Sequence, residues 1–592
     1  MTALPQPSAA PGGGGLRHPD GHVRYPDDLV ERYCEAGFWR PETLGDLLRT
    51  HARRRPARPA LVADGRVTDY GELDAAADRL AGRLALLGIA AGDRVVVQLP
   101  NCTEFVLVLF AFFRMGAVPV LALPTHRKNE IDQLCRMTGA VGYTIPGRGH
   151  EADSGFDYTA LAEAVRTDNP GLRHVLLTRT SAGTSGAAAE SAPDEAFTLL
   201  DGGRHRALPS GGTPPAPARP DPAAVALLLL SGGTTGAAKL IPRTHRDYAY
   251  NLRASARLCG LDDRSVYLAA LPAAHNFALG CPGVLGTLSA GGTVVLAPDA
   301  GPDRAFALIE RERVTVSALT PPLLALWLAE AEWTGADLSS LALLQVGGAR
   351  LGRAAAERVR PGLGCRLQQV FGMAEGLLCF TRPEDPDETV LSTQGRPLSA
   401  GDELRVVDAA GREVRPGEVG QLLTRGPYTV RGYYRAPETD ATAFTADGYY
   451  RTGDLVRITP TGHLVVEGRV KDVINRGGEK VPAAEVEDHL LAHPLVAQVA
   501  LVGVPDAQLG ERSCAFVVPR AGTPGRAELA AFLRARGLAA HKLPDRVELV
   551  AALPRTGAGK VDKRALAAPL AAAEPADRAA RSAREPSRLC PE

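Results

Sequence analysis

The sequence predicts an α/β protein with a large N-terminal domain of α/β sheets plus a β-rich lobe, followed by a small α+β C-terminal domain. The chain has 592 residues, enough for several domains of roughly 100–200 residues each. Short apolar runs alternate with helical patterns through most of the chain, which is typical of mostly parallel sheets. Residues 471–565 carry a separate pattern of strands and helices, which indicates a second, smaller domain.

The elements follow in order along the chain. Leucines and alanines at positions 73, 77, 80, 84 and 87 share one face of a predicted helix. The apolar run at residues 93–100 predicts a strand, and residues 105–123 predict a further helix and strand. A strand at residues 224–230 leads directly into a loop rich in glycine and threonine. Short strands separated by turns at residues 402–466 predict the β-rich lobe.

Composition changes set the predicted domain boundaries. The Pro-, Gly- and Ala-rich ends predict disordered tails at residues 1–20 and 566–592. Between them we expect an N-terminal core at residues 21–470 and a C-terminal domain at residues 471–565. Residues 179–222 are rich in Gly, Ser, Pro and Ala and predict a flexible insert in the core.

Charge and cysteine usage exclude several classes of function. Sixty-seven basic and 67 acidic residues give a formal net charge of zero, so neither nucleic acid nor a membrane surface is an expected partner. The longest apolar run, residues 105–113, is too short to cross a bilayer. The nine cysteines contain no C-x-x-C pair, which disfavours a zinc ribbon, and their odd number fits a reducing cytosol. The N-terminus has no signal-peptide pattern, so we expect a cytoplasmic protein.

Lysine is rare in this chain. Only seven of the 67 basic residues are lysines, and arginine occupies most other cationic positions. A compact ammonium on a flexible stem differs from a rigid guanidinium fork. The retained lysines are therefore candidates for functional roles that arginine cannot fill.

The loop at residues 231–239, SGGTTGAAK, predicts a phosphate-binding site. A strand that feeds into glycines and hydroxyl-bearing residues exposes N–H and O–H groups, which cradle phosphate oxygens. Lys239 adds a positive charge to this loop. The segment is not a Walker A loop, because Ala238-Lys239-Leu240 replaces the required Gly-Lys-Ser/Thr.

Six further motifs occur in order: LPAAHNF (271–277), QVGGAR (345–350), QQVFGMAEG (368–376), YYRTGDL (449–455), GRVKDVINRGGEKV (468–481) and PRTGAGKVDK (554–563). With the phosphate loop, this set resembles the adenylate-forming superfamily of acyl- and aryl-CoA synthetases, nonribosomal peptide adenylation domains and luciferase. The resemblance covers residues 25–565. It departs from the superfamily pattern in the phosphate loop, where Ala238 replaces the usual Pro and Leu240 the usual Gly.

The resemblance implies that ATP and Mg²⁺ are used and that the C-terminal domain is mobile. The ATP-binding residues that it implies are Ser231, Gly232, Gly233, Thr234, Thr235, Gly236, Lys239, Gly347, Gly348, Ala349, Val370, Phe371, Gly372, Met373, Ala374, Glu375, Asp454, Arg469 and Lys560. Asp454 is expected to accept hydrogen bonds from both ribose hydroxyls. Arg469 is expected to meet ribose or phosphate oxygens. Glu375 is the expected Mg²⁺ ligand, with Thr234 as a second candidate.

Three residues take catalytic roles by the same resemblance. Lys560 would bridge the substrate carboxylate and the α-phosphate and stabilise the charge that grows in the transition state. Lys471 stands at the hinge position between the two domains, where a backbone change accompanies the second half-reaction. His275 belongs to the aromatic-gate motif.

Within the superfamily, the sequence is most similar to enzymes that adenylate salicylate or 2,3-dihydroxybenzoate. The implied substrate-binding residues are Asn276, Phe277, Cys281, Gly348, Gly372 and Leu378. Amino-acid adenylation domains hold an Asp that pairs the substrate ammonium, and residues 275–281 contain no Asp. Cys281 and Leu378 stand where dihydroxybenzoate enzymes tend to have Ser and Val, which favours salicylate.

The expected reaction forms aryl-AMP and pyrophosphate and then transfers the aryl group to the phosphopantetheine thiol of an aryl carrier protein, in siderophore or related nonribosomal peptide biosynthesis. Three alternatives remain open at this point. In the first, the substrate is 2,3-dihydroxybenzoate or another ortho-substituted acid. In the second, the acceptor is CoA. In the third, the chain is a non-catalytic interaction protein on a ligase fold. The intact motif residues argue against the last alternative.

Overall fold

The computed structural model describes residues 21–147, 156–178, 193–201, 204–209, 219–231, 239–476, 479–506, 509–556 and 560–570. This part of the chain is mixed α/β, which confirms the predicted fold class. The chain divides into two compact units. The first comprises Met1–Arg405 and Leu423–Arg451, and the second comprises Val406–Leu422 and Thr452–Glu592. The boundary predicted at residue 470 stays a prediction.

The first unit contains a nine-stranded sheet that is parallel at its centre and antiparallel at both edges. Its strands, in order across the sheet, are Arg396–Pro397, Leu378–Phe380, Arg366–Gly372, Leu343–Gly347, Val316–Leu319, Val266–Ala269, Thr293–Leu296, Pro59–Ala63 and Arg66–Asp69. Parallel strands in one sheet place their following loops at the same edge, where open α/β sheets bind ligands.

A second, eight-stranded sheet in the first unit has the same mixed character. Its strands, in order, are Leu240–Thr244, Val225–Leu230, Val118–Leu121, Arg94–Val97, Gly142–Pro146, His174–Thr178, Phe197–Asp201 and Arg204–Ala207. The last two strands lie inside the predicted insert at residues 179–222. Phe197 and Leu200 are buried, and their strand extends the edge of the sheet. This short apolar segment was not predicted as a strand, because the residues around it are rich in Gly and Pro.

Helices cover both sheets of the first unit. They are Asp27–Glu35, Leu44–Arg54, Tyr70–Leu86, Thr103–Met115, Lys128–Thr138, Tyr158–Asp168, His245–Leu258, Asn276–Gly280, Gly283–Ala290, Pro302–Glu312, Pro321–Glu330, Arg353–Glu357, Val359–Leu363, Asp387–Ser392 and Pro437–Ala443. Tyr70–Leu86 is the helix predicted from its leucine face. The Asp69 carboxylate caps it by accepting a 2.6 Å bond from the N–H of Glu72.

The alternation of side chains along each strand explains the layering. Val95 and Val97 pack into one apolar cluster, whereas Val96 packs into another on the opposite face of its sheet. In the other sheet, Leu61 joins the same cluster as Val95, and Val62 faces away into a third. The two sheets therefore share one central core, and each has a further core on its outer face.

The remaining sheets are smaller. A four-stranded sheet contains Glu403–Val407, Gly420–Arg425, Tyr450–Ile458 and Leu464–Arg469. The second unit has a five-stranded sheet in the order Glu479–Pro482, Val473–Arg476, Gly510–Pro519 and Val496–Asp506, with Arg546–Leu549 pairing to Gly510–Pro519. Its helices are Ala483–Leu491, Arg526–Ala535 and residues 563–570.

The last described helix, at residues 563–570, overlaps the predicted C-terminal tail. The helix at residues 563–570 continues beyond the predicted start of the tail at residue 566, and Leu566 is buried in it. The predicted tail at residues 1–20 lies outside the described residues. Among the described helices, none combines the length and the apolar character that a membrane span requires.

Candidate active site

The predicted site residues fall into two groups, one in each compact unit. In the first unit, Gly232, Gly233, Thr234, Thr235 and Gly236 lie outside the described residues, so their ATP and metal roles stay predictions. The two ends of this loop are described. Ser231 N–H donates to the carbonyl of Lys239 at 3.0 Å, directly beside the cross-strand pair of Leu230 and Leu240. The loop is thus closed at its base by an antiparallel strand pair.

Tyr433 contacts both Lys239 and Glu375. The Lys239 ammonium lies 5.1 Å from the centroid of the Tyr433 ring. The hydroxyl of Tyr433 donates to Glu375 Oε1 at 2.9 Å and lies 3.0 Å from the hydroxyl of Tyr450. Burial and the Glu375 charge raise the pKa of Tyr433, so the phenol stays protonated as a donor. Tyr433 therefore orients the carboxylate that the sequence assigns to Mg²⁺.

The turn that carries Glu375 is held in place from its backbone side. The carbonyl of Glu375 accepts a 2.8 Å bond from the N–H of Val430. Gly376 has φ +156°, and a Cβ there would lie 2.4 Å from the Cα of Thr429. Only glycine allows this approach, which explains the Glu-Gly sequence.

The donor set at Glu375 suits a hard cation shared with phosphates. Glu375 is 7% exposed and supplies carboxylate oxygens. Among the described residues, no group of three or more His, Cys, Asp or Glu side chains could hold a metal without other ligands. Mg²⁺ is usually bound through one or two carboxylates together with substrate phosphates. The residues present therefore fit Mg²⁺ bound as a nucleotide complex.

Two loops that carry predicted ATP-binding residues leave the nine-stranded sheet side by side. Gly348 and Ala349 follow the strand Leu343–Gly347 directly. Val370, Phe371 and Gly372 end the neighbouring strand, and Val370 is paired in register with Gly347. Met373 and Ala374 continue from Gly372 toward Glu375. Both loops are therefore at the carboxyl edge of parallel strands.

Two predicted substrate residues, Phe277 and Leu378, lie against the glycines at the ends of these strands. A Cβ on Gly347 would lie 3.1 Å from Cζ of Phe277, and a Cβ on Gly372 would lie 2.4 Å from Cδ2 of Leu378. Phe277, Cys281 and Leu378 all belong to the same buried apolar cluster. We name the group Asn276, Phe277, Cys281, Gly372 and Leu378 the aryl pocket.

Asn276 is the polar centre of the aryl pocket. It is the first residue of the short helix Asn276–Gly280, whose N-cap is His275. The Nδ1 atom of His275 accepts a 3.3 Å bond from the N–H of Phe277. The Asn276 amide accepts a 2.8 Å bond from the hydroxyl of Tyr248 and donates to Cys281 Sγ at 3.7 Å. Burial raises the pKa of Cys281 to about 12, so the thiol is neutral.

In the second unit, Asp454 and Arg469 are cross-strand neighbours. Arg469 Nε donates to Asp454 Oδ1 at 2.9 Å. Burial raises the pKa of Asp454, and the positive charges of Arg469 and Lys560 oppose this shift. The structure therefore brings three predicted ATP-binding residues within electrostatic reach of one another.

Lys471 and Lys560 occupy short, irregular segments. Lys471 lies in the 3-10 helix Val470–Asp472, directly after the strand that ends at Arg469. Burial lowers its pKa, and the neighbouring Arg469 acts in the same direction. The carbonyl of Lys560 accepts a 2.7 Å bond from the N–H of Thr556. The hinge role of Lys471 and the catalytic role of Lys560 stay predictions.

Several residues that shape the site were not predicted from the sequence. Tyr433 and Tyr248 lie far along the chain from Glu375 and Asn276, and no motif in the sequence connects them. Arg243 donates to Asp247 at 2.8 Å, with both side chains 1% exposed. The i, i+4 spacing of this pair was the one signal present, but such spacing is common on helix surfaces.

Two family models and several known proteins match this chain. The model of the AMP-binding enzyme family matches residues 48–434, and the model of the AMP-binding enzyme C-terminal domain matches residues 485–560. The chain is 53% identical to the 2,3-dihydroxybenzoate-AMP ligase of Bacillus subtilis, covering 92% of this chain and 97% of that protein. It is 48% identical to a salicyl-AMP ligase / salicyl-S-ArCP synthetase of Mycobacterium tuberculosis, covering 93% and 94%. The apo structure of Mycobacterium smegmatis MbtA superposes with a TM-score of 0.67 at 46% identity, covering 93% of this chain and 98% of that one.

Proposed function

The chain belongs to the family of AMP-binding enzymes, and from this premise we propose that it activates an aryl carboxylic acid, with salicylate preferred. ATP and the acid give aryl-AMP and pyrophosphate, and the aryl group then passes to the phosphopantetheine thiol of an aryl carrier protein. The product would enter siderophore or related nonribosomal peptide biosynthesis. The observation that carries this proposal is the aryl pocket, which combines the buried side chains of Phe277, Cys281 and Leu378 with the half-buried amide of Asn276.

The aryl pocket suits an aromatic acid better than an amino acid. Its side chains are apolar except for the Asn276 amide and the neutral Cys281 thiol. Asp247 directly precedes Tyr248 and carries a buried carboxylate. This carboxylate already accepts hydrogen bonds from Arg243 and from the N–H and hydroxyl of Thr244. Asp247 is therefore not available to pair with the ammonium of an α-amino acid, and an ammonium buried without a partner would cost several kcal/mol.

Two side chains support salicylate over 2,3-dihydroxybenzoate. The Cys281 thiol is a weak hydrogen-bond donor where Ser would be a strong one. Leu378 Cδ2 fills the space above Gly372, where the smaller Val would leave room for a 3-hydroxyl. Identity over the whole chain does not separate the two acids, because a few pocket side chains decide the choice. 2,3-Dihydroxybenzoate, or another ortho-substituted acid, is the alternative substrate.

The predicted residues of each group are assigned separate roles in the adenylation step. We assign the ATP phosphates to the loop at residues 231–239, with Lys239 at its end. Lys560 is assigned to the charge that grows when the aryl carboxylate attacks the α-phosphorus and pyrophosphate leaves. Asp454 is assigned to the ribose hydroxyls. Mg²⁺ held by Glu375 and the phosphates would neutralise charge on the departing pyrophosphate.

Pyrophosphate exchange tests this proposal directly. Wild-type protein is incubated with ATP, Mg²⁺, labelled pyrophosphate and one acid at a time: salicylate, 2,3-dihydroxybenzoate, benzoate or an L-amino acid. The proposal expects exchange with the aryl acids, highest with salicylate, and none with the amino acid. Exchange that depends only on the amino acid would overturn it.

The thiol acceptor needs a second measurement. Enzyme with salicylate and ATP is offered either CoA or a phosphopantetheinylated aryl carrier protein, and the thioesters are quantified by mass spectrometry. The proposal expects the carrier protein to be acylated with the higher kcat/KM. A higher kcat/KM with CoA would make the enzyme an aryl-CoA ligase instead.

A further inference from the structure

A buried polar chain lies behind the aryl pocket, at the start of the helix His245–Leu258. The Asp247 carboxylate accepts from the N–H of Thr244 at 2.7 Å and from Arg243 Nε at 2.8 Å. The Arg243 guanidinium in turn lies 4.7 Å from the centroid of the Tyr248 ring, and Arg243 Nη1 donates to the carbonyl of Ala374. A guanidinium over an aromatic face is attracted to it, so these contacts of Arg243 fix the position of the Tyr248 ring.

Tyr248 reaches the aryl pocket through its hydroxyl, which donates to Asn276 Oδ1 at 2.8 Å. The approach is so close that it requires a glycine in the facing helix. A Cβ on Gly280 would lie 2.3 Å from the Tyr248 hydroxyl oxygen. Tyr248 is fully buried, so no other orientation of its hydroxyl leads to solvent.

The surrounding hydrogen bonds determine which way the Asn276 amide faces. Nδ2 donates to Cys281 Sγ at 3.7 Å, while the Cys281 thiol donates to the backbone carbonyl of Asn276 at 3.5 Å. If the amide were turned over, Oδ1 would face a sulfur whose hydrogen is already used. The Tyr248 hydroxyl would then need another acceptor for its own hydrogen.

We propose that Tyr248, held by Arg243, is a positioning residue that fixes the Asn276 amide with its NH₂ group toward the aryl pocket, so that the site selects acids whose ortho substituent accepts a hydrogen bond. This inference rests on the proposed function. The second N–H of Asn276 can donate to a 2-hydroxyl or phenolate oxygen. A 2-amino group on the ring is mainly a donor, because its lone pair is delocalised, and benzoate has no ortho group.

A single-atom variant and a matched control test the inference. Tyr248→Phe removes only the hydroxyl. Tyr143→Phe is the control, because Tyr143 is also fully buried and its hydroxyl donates to a side-chain amide, Gln98 Oε1. Tyr143 lies in the eight-stranded sheet. Pyrophosphate exchange gives kcat/KM for salicylate, anthranilate and benzoate. We expect Tyr248→Phe to lower the ratios of salicylate to benzoate and to anthranilate about fivefold to tenfold, the effect of one hydrogen bond, with the KM for ATP unchanged. Tyr143→Phe should leave both ratios unchanged.

A double-mutant cycle separates positioning from a general structural effect. In an Asn276→Ala background, Tyr248→Phe should no longer change the ratios, because the amide through which it acts is gone. Gly280→Ala, which pushes a methyl group against the hydroxyl, should lower the ratios as Tyr248→Phe does, and it serves if Tyr248→Phe does not fold.

Three results would overturn the inference. The first is unchanged ratios in a folded Tyr248→Phe or Gly280→Ala variant. The second is an equal fall of the ratios in the Asn276→Ala background. The third is the absence of exchange with every aryl acid in the wild type, which overturns the proposed function as well.

Discussion

The Lys563 ammonium and the partly buried Glu487 carboxylate form an ion pair at 2.7 Å. Glu487 also accepts a 2.6 Å bond from the N–H of Leu501, which fixes the carboxylate against the five-stranded sheet. Burial raises the pKa of Glu487, and the Lys563 charge opposes this shift. The pair ties the chain three residues after Lys560 to the helix Ala483–Leu491. Lys560 therefore stands on a segment whose end is anchored within its own unit.

Lys560→Ala should abolish adenylation and spare thioester formation from supplied aryl-AMP. In its proposed role, the lysine acts only while charge grows on the α-phosphate, so the second half-reaction should not depend on it. The measurement compares pyrophosphate exchange with the rate of carrier loading from synthetic aryl-AMP. Lys542→Ala is the control, because Lys542 pairs with Glu485 at 2.7 Å in the same unit. Exchange within tenfold of wild type in Lys560→Ala would show that the assignment is wrong.

Lys471→Pro should separate the two half-reactions. Proline fixes φ near −65°, whereas a rotation of the C-terminal domain needs a large backbone change at the hinge. We expect pyrophosphate exchange to be retained and carrier loading to be lost. Ala409→Pro, at the second position of the turn Asp408–Gly411, controls for proline as such. Equal loss of both half-reactions in Lys471→Pro would contradict a hinge at this position.

Cys281→Ser combined with Leu378→Val should shift preference toward 2,3-dihydroxybenzoate. Serine adds a stronger donor, and valine opens about one methylene of volume above Gly372, so each change contributes roughly 0.5–1.5 kcal/mol. We expect the ratio of kcat/KM for the two acids to change about tenfold to a hundredfold, as measured by pyrophosphate exchange. A ratio that does not move would refute the role of these two side chains and leave the adenylation mechanism intact.

Asp402 should make stability depend on pH. Its carboxylate is buried and accepts from the Tyr428 hydroxyl at 2.7 Å, and Tyr428 accepts in turn from the N–H of Leu378 at 3.1 Å. Burial raises the pKa of Asp402 to about 7. The folded protein therefore holds a proton that the unfolded chain releases near pH 4. This contribution to stability is complete below about pH 4 and is lost as the pH rises through about 7.

Asp402→Asn removes this titration. We expect the apparent Tm of the variant, relative to wild type, to increase between pH 5 and pH 8. Asp408→Asn is the control: the Asp408 side chain is part of an exposed turn, and hydrogen bonds from Arg412 lower its pKa, so it does not titrate in this range. A difference between Asp402→Asn and wild type that stays constant with pH would contradict a raised pKa at Asp402.

The sequence predicted the parts of the site that are local in the chain. The strand that leads into SGGTTGAAK, the pair of loops after residues 347 and 372, and the Asn276–Cys281 segment each carry their signal within a few residues. Short apolar runs that alternate with helical patterns likewise predicted the α/β layers, because strand and helix periods differ.

Contacts between distant residues were not predictable in this way. Tyr433 reaches Glu375, and Tyr428 reaches Asp402, through tertiary packing that leaves no period in the sequence. The strands Phe197–Asp201 and Arg204–Ala207 were missed because each is short and the flanking residues are rich in Gly and Pro. Their strand character comes from pairing with the sheet edge, which outweighs local composition.

A single-turnover competition shows which of the two aryl acids the enzyme adenylates. Wild-type enzyme at stoichiometric concentration is mixed with ATP, Mg²⁺ and equal amounts of salicylate and 2,3-dihydroxybenzoate, and the enzyme-bound aryl-AMP is identified by mass spectrometry. A pocket formed by Asn276, Cys281 and Leu378 predicts salicyl-AMP in about tenfold excess or more. Excess 2,3-dihydroxybenzoyl-AMP would contradict the substrate preference, and the absence of both adenylates would contradict aryl-acid activation itself.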